Sequence, residues 1–268
     1  MELPEIVTTV RGLRAHVAAW RKDGLRVGLV PTMGALHAGH LFLVEESRKR
    51  SERTIVSIFV NPAQFAPHED FDRYPRALQA DAQKLGARAD LIFAPSVAEM
   101  YPQGYATQIE VGGPSRGLET DFRPHFFAGV ATVVAKLLIA AQPDLAVFGE
   151  KDYQQLLVIR RLVADLALPI EIVGAPIMRE PDGLAMSSRN AYLGPRERAI
   201  AGKMNVILRT ATSEEQAARA LLDAGFDSVD YVAICDAETL GPAGDGPKRI
   251  LAAAKIGGTR LIDNMEHK

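Results

Sequence analysis

His37 and His40 stand three residues apart in the tract VPTMGALHAGHLFLV, between two apolar runs. Gly34 permits a tight turn, and Gly39 permits close backbone approach where a helix begins, whose free N–H groups favour an anion. Residues 37 and 40 share one face of that helix. Two imidazoles beside an anionic site can hydrogen-bond phosphoryl oxygens and stabilise charge growing on a leaving pyrophosphate. The bland alternative is a pair of helix N-terminal residues with local hydrogen bonds. Metal binding is the weaker reading, because neither an HExxH motif nor a cysteine cluster supplies further ligands. The tract is neither the GxGxxG dinucleotide fingerprint nor a GxxxxGK[ST] loop, so any phosphate here is held in another way.

Three further clusters carry functional groups. GEKDYQQ places Gly149, Glu150, Lys151 and Asp152 before a helical segment. Lys151 suits phosphate oxygens as a point charge, and Asp152 can cap the helix or accept a ribose hydroxyl proton. In DGLAMSSRN, Met186, Ser187, Ser188 and Arg189 put two hydroxyls and a guanidinium in a loop suited to clamp a triphosphate; a hinge with solvated polar residues is the alternative. NPAQF offers the neutral amides Asn61 and Gln64, which can recognise hydroxyl and carboxylate oxygens, and Gln155 could face them across a crevice.

The elements that must position these groups follow βαβ grammar. Short apolar runs, RVGLVPT, RTIVSIFVN, ADLIFAPS, PDLAVFGE and PIEIVGAPI, alternate with segments of helical period. Their near-continuous hydrophobicity predicts parallel strands covered on both faces, an α/β, Rossmann-like doubly wound sheet. A first amphipathic helix is expected over residues 7–21. Each polar cluster falls at a carboxyl strand end, where such sheets bind ligands. The grammar changes after residue 177, which predicts a larger domain over residues 1–178 and a smaller α+β lid domain over 179–268. There RAIAGKMNVILRT and SEEQAARALLDAG read as helices, and VDYVAICDA, RILAAAKIGG and TRLIDNM as strands.

With 31 basic and 33 acidic side chains among 268 residues, the net charge of −2 gives no broad field for nucleic acid or anionic membrane, which leaves a small ligand as the expected partner. The basic run at 48–53 sits where a helix should end. Cys235 is the single cysteine and reads as a buried structural thiol. The N-terminal segment has neither a signal-peptide pattern nor a membrane span, so a cytoplasmic protein is expected.

PTMGALHAGH, VNPAQF, DRYPR, GVATVVAKL, FGEKDYQQL, VIRRLVADL and DGLAMSSRNAYL, in this order, are similar to the pantothenate synthetases, the pantoate and β-alanine ligases of the HxGH nucleotidyltransferase superfamily. The likeness runs nearly end to end. It implies ATP-dependent amide formation through a pantoyl adenylate, with AMP and pyrophosphate released, magnesium accompanying ATP, and a homodimer. It also implies that Met33, Gly34, Ala35, Leu36, His37, Ala38, Gly39 and His40 line the ATP site, His37 acting as proton donor and His40 on the phosphates. Gly149, Glu150, Lys151 and Asp152 would hold ribose and phosphate. Met178 would give a backbone contact to adenine, and Met186, Ser187, Ser188 and Arg189 would close on the triphosphate. Gln64 and Gln155 would hold pantoate, Gln64 lying also near β-alanine, with Asn61 and Arg123 supporting the pocket and Tyr74 as a further wall. Asp81 is a candidate magnesium contact.

The chain departs from the family at RPHFF, where Arg-Pro-Gly-His-Phe is common, so His125 and Phe126 replace Gly and His. Adjacent helical side chains point about 100° apart, so His125 is not expected to inherit the direction of position 126. Two other classes share these features. A nucleotidyltransferase that leaves the nucleotide on its product would not release free AMP, and a non-catalytic nucleotide-binding module could lose His37, Lys151 or Ser188, all present here.

Overall fold

The computed structural model describes residues 3–66, 69 and 71–268. Its strands are β1 (Glu5–Val7), β2 (Val27–Thr32), β3 (Arg53–Ile58), β4 (Leu91–Phe93), β5 (Leu145–Gly149), β6 (Glu171–Ala175), β7 (Ser228–Asp236), β8 (Lys248–Ile256) and β9 (Thr259–His267). Its α-helices are α1 (Val10–Lys22), α2 (Ala38–Arg48), α3 (Leu78–Leu85), α4 (Val97–Met100), α5 (Glu119–Phe122), α6 (Phe126–Ala141), α7 (Tyr153–Asp165), α8 (Pro195–Ala201), α9 (Lys203–Thr210) and α10 (Glu214–Ala224).

The first six strands form one parallel sheet in the order β1-β4-β3-β2-β5-β6. Side chains alternate between faces along each strand. Leu29, Ile55 and Phe148 therefore enter one core, with α1, α6 and α7, while Val30, Val56 and Val147 enter another, with α2 and α3. Burial on both faces explains the unbroken apolar runs. The strand order reverses between β2 and β5, which opens a crevice at their carboxyl ends.

The smaller unit stacks α8, α9 and α10 on an antiparallel sheet of β7, β8 and β9 around a core of its own. Gly257 and Gly258, at φ of 55° and 77°, make the two-residue turn that pairs Ile256 with Thr259. Cys235 is a buried free thiol on β7.

Two expectations need correction. The opening segment contains a strand before its helix: Glu5–Val7 pairs with β4, and α1 starts only at Val10, capped by the Thr9 hydroxyl. Three residues show no period, so the pattern hid the strand. RAIAGKMNVILRT is two helices, α8 and α9, which meet at Gly202 against Asp182. Among the described residues no helix is long and apolar enough to cross a membrane.

Candidate active site

The crevice at the β2–β5 reversal has a volume of about 610 Å³ and continues between the larger sheet and β7–β9. Its first wall is the turn after β2. Ala35 has φ of 51°, a conformation costly for a residue with a Cβ. The Asp81 carboxylate fixes that turn, accepting the N–H groups of Ala35 at 2.9 Å and Leu36 at 2.8 Å, while Lys84 donates to the Leu36 carbonyl at 2.7 Å. Asp81 is buried behind the turn and does not line the crevice, so the position expected to contact magnesium instead holds the loop.

The histidine pair makes the local hydrogen bonds of a helix N-terminus. His37 caps α2: its Nδ1 accepts the Gly39 N–H at 3.2 Å, and His40 Nδ1 accepts the His37 N–H at 3.3 Å. The rings lie 4.1 Å apart. A Cβ on Gly39 would come within 2.9 Å of the His37 ring, so this close approach requires glycine. With Nδ1 accepting, each neutral ring carries its proton on Nε2. Burial, then Lys151 and Lys84, lower the His37 pKa to about 4; burial, then His37, Lys151 and Lys84, lower that of His40 to about 3. The histidines thus enter as neutral donors. Of the helix N-terminal N–H groups expected to favour an anion, that of Gly39 is already bonded within the turn.

Opposite stands the end of β5. Gly149, Lys151 and Asp152 line the crevice, and Asp152 makes no side-chain cap to α7. Glu150 points away, to Arg249 at 3.3 Å. Gly34, Ala35, Leu36 and Ala38 do not line the crevice; Gly34 and Leu36 are buried and Ala38 is exposed. The serine loop lies across the opening: Ser187 accepts the Arg189 N–H at 3.3 Å, Ser188 meets the Tyr74 hydroxyl at 3.1 Å, and the Arg189 guanidinium sits 5.9 Å from the Tyr74 ring. Met178 and Met186 also line the crevice, the Met186 N–H donating to the Met178 carbonyl at 2.9 Å.

The amides form the inner end. Asn61 is fully employed: Nδ2 donates to Gln64 Oε1 at 3.1 Å and to the Gly129 carbonyl at 3.2 Å, while Oδ1 accepts from Ala63 N–H at 3.2 Å and Tyr101 hydroxyl at 2.7 Å. It orients Gln64, whose Nε2 lies 2.9 Å from Met33 Sδ. Gln155 lines the crevice with no side-chain hydrogen bond to another described residue. Arg123 is already paired, with Glu69 at 2.6 and 2.8 Å, and stacks 3.8 Å from Phe126 while donating to the Gln64 carbonyl at 3.2 Å. His125, the residue before α6, is exposed outside the crevice, and Phe126, the first residue of α6, is buried in its wall.

Several contributors carried little sequence signal. Gln154 accepts the Glu119 N–H and donates to the Pro114 and Gly117 carbonyls. Glu119 receives both Arg260 nitrogens, at 2.7 and 2.9 Å, and the Tyr231 hydroxyl at 2.8 Å, which joins the small sheet to the amide end. Asp263 and Asn264 are buried polar residues on β9.

The model of the Pantoate-beta-alanine ligase family matches residues 5–266. A pantothenate synthetase of Mesorhizobium japonicum is 57% identical over 279 residues, 99% of each chain. The crystal structure of pantothenate synthetase from Thermus thermophilus is similar with a TM-score of 0.88 at 46% identity, covering 98% of this chain and 99% of that one. The pantoate-beta-alanine ligase of Francisella tularensis, solved with β-γ ATP and β-alanine, gives 0.87 at 36% identity, covering 98% and 97%. The chain belongs to the pantoate-beta-alanine ligase family and is an enzyme of that ligase class.

Proposed function

We propose that the enzyme joins the carboxylate of pantoate to the amine of β-alanine in two steps. First a pantoate oxygen attacks the α-phosphorus of ATP, the bond to the bridging oxygen of the β-phosphate breaks, and pyrophosphate leaves. The β-alanine nitrogen then attacks the acyl carbon, the bond to the phosphate oxygen breaks, AMP leaves, and the ammonium proton is lost. The observation that carries this reading is one crevice with a cationic and imidazole end, formed by His37, His40, Lys151, Ser187, Ser188 and Arg189, and a neutral amide end, formed by Gln64 and Gln155.

The chemistry fits the division. A carboxylate is a poor electrophile, and adenylation gives it a phosphate leaving group. Neutral imidazoles donate from Nε2 to phosphoryl oxygens without first surrendering a proton, and Lys151 supplies the charge. Amides recognise pantoate without adding a cation that would pair with its nucleophilic carboxylate. Lys151 has no side-chain hydrogen bond to another described residue, which leaves its ammonium for the phosphates.

Magnesium fits as the companion of ATP. Among the described residues no group of three or more His, Cys, Asp and Glu side chains is arranged to hold a metal, and the ion's ligands would be phosphate oxygens and water. There it would neutralise phosphate charge. The chain would act as a homodimer, which sedimentation tests.

Product analysis with ATP, pantoate and β-alanine tests the proposal. AMP, pyrophosphate and pantothenate in equal amounts are expected. ADP and inorganic phosphate would overturn it, and a nucleotide retained on the product would favour the other nucleotidyltransferase class.

A further inference from the structure

Lys151 lies in a single 3-10 turn, Glu150–Asp152, at the end of β5, and its long stem leaves the ammonium mobile unless the backbone beneath it is fixed. The fixing comes from the other sheet. Asn264 on β9, 2% exposed, donates from Nδ2 to the carbonyls of both Glu150 and Lys151, at 3.0 and 2.9 Å. Its Oδ1 accepts Arg249 Nε at 2.6 Å, so the amide orientation is set. Arg249 is itself locked, 3.8 Å from the Tyr153 ring and 3.3 Å from Glu150 Oε2. One residue earlier, Asp263 takes both Arg179 nitrogens at 2.7 and 2.9 Å, and Arg179 donates to the Gly183 carbonyl at 3.0 Å, at the root of the serine loop. Burying an amide and a carboxylate inside a sheet costs free energy unless every group is bonded. Here the bonds go to the two segments that carry the cations and hydroxyls of the crevice.

We propose that Asn264 is a positioning residue for Lys151, holding its turn so that the ammonium stands before His37 and His40. This rests on the reading that Lys151 acts on the ATP phosphates. Misplacing a reacting group by about 1 Å can cost on the order of a hundredfold, so loss of the clamp should slow the chemistry of the folded enzyme.

The test is a double-mutant cycle read by pantoate-dependent exchange of labelled pyrophosphate into ATP, using the full chain. Asn264→Asp keeps the shape and the acceptor for Arg249 but turns an oxygen toward the two carbonyls. Exchange should fall roughly tenfold to a hundredfold when read well below the thermal midpoint of each variant, a midpoint that should itself drop because the buried carboxylate oxygen faces two carbonyls. Adding Asn264→Asp to Lys151→Ala should slow exchange by less than about twofold further, since the group it positions is gone. A full multiplicative cost in the Lys151→Ala background, or wild-type exchange in Asn264→Asp, would overturn the inference. Should Asn264→Asp fail to fold, Asn264→Ala is carried through the same cycle under the same criteria. Slow Lys151→Ala with normal Asn264→Asp sinks this inference alone; normal exchange in Lys151→Ala sinks both it and the reading beneath it.

Discussion

The neutral histidine pair makes acid destabilise this protein in a way that two substitutions should remove. In the unfolded chain both imidazoles titrate near 6.5, whereas in the fold burial, the neighbouring cations and, for His40, the adjacent ring hold His37 at about 4 and His40 at about 3. Between those values the unfolded state binds protons that the fold excludes. Stability is therefore full above about 6.5 and is lost as pH falls toward 4. From pH 7 to 5 each such histidine costs up to about 2 kcal/mol. His37 is partly screened by water, so the pair should cost about 3 kcal/mol, against a limit near 4. The assay is urea unfolding of the wild type and of His37→Gln/His40→Gln at both pH values. The other titrating groups are shared, so the difference between the two pH effects isolates the pair. Equal pH dependence within about 0.5 kcal/mol would refute the argument that these rings are buried and neutral.

Asp81→Ala should lower stability by about 1 to 3 kcal/mol, because it strands two N–H groups of a strained turn, and should slow adenylation; urea unfolding and pyrophosphate exchange check both. Gly129→Ala would drive a Cβ into the Ala63 carbonyl and to 2.9 Å from the Gln64 nitrogen, both backbone. It should cost about 3 kcal/mol or more and, where the variant folds, raise the KM for pantoate more than that for ATP; equal rises would contradict the placement of the amide turn. Arg123→Ala should lose stability and pantoate use together, since it leaves Glu69 unpaired and the Gln64 carbonyl unsupported, while His125→Ala should keep most activity. Kinetics with each substrate varied separately decide that pair, and a crippled, folded His125→Ala would overturn it.

The larger sheet was legible because its inner strands β2, β3 and β5 are buried on both faces, which writes a nearly unbroken apolar run into the sequence. The three-residue β1 was not, since pairing with β4 defines it rather than any local pattern. Gly202 looked like one weak residue within a helix because the packing of Asp182 against it is a tertiary fact. Among the candidate site residues, His37, His40, Lys151 and Ser188 stood out by type and spacing, and the fold brings them to one crevice. The work of Asn61, Arg123 and Asp81 was hidden, because a polar side chain spent on holding a neighbour looks in sequence like one offered to a ligand. Gln64 and Gln155 illustrate the same ambiguity from the other side: the first is oriented by Asn61, and the second has no side-chain hydrogen bond to another described residue. Asn264 lay beyond sequence reasoning, since the turn it holds is more than a hundred residues away.

In the proposed reaction a pantoate oxygen bonds to the α-phosphorus of ATP. Pantoate labelled with oxygen-18 in its carboxylate, converted with ATP and β-alanine, tests this most directly by mass spectrometry of the nucleotide. The account predicts that each AMP formed carries one carboxylate-derived oxygen. Unlabelled nucleotide with the label in inorganic phosphate would show activation at the γ-phosphorus and contradict the account.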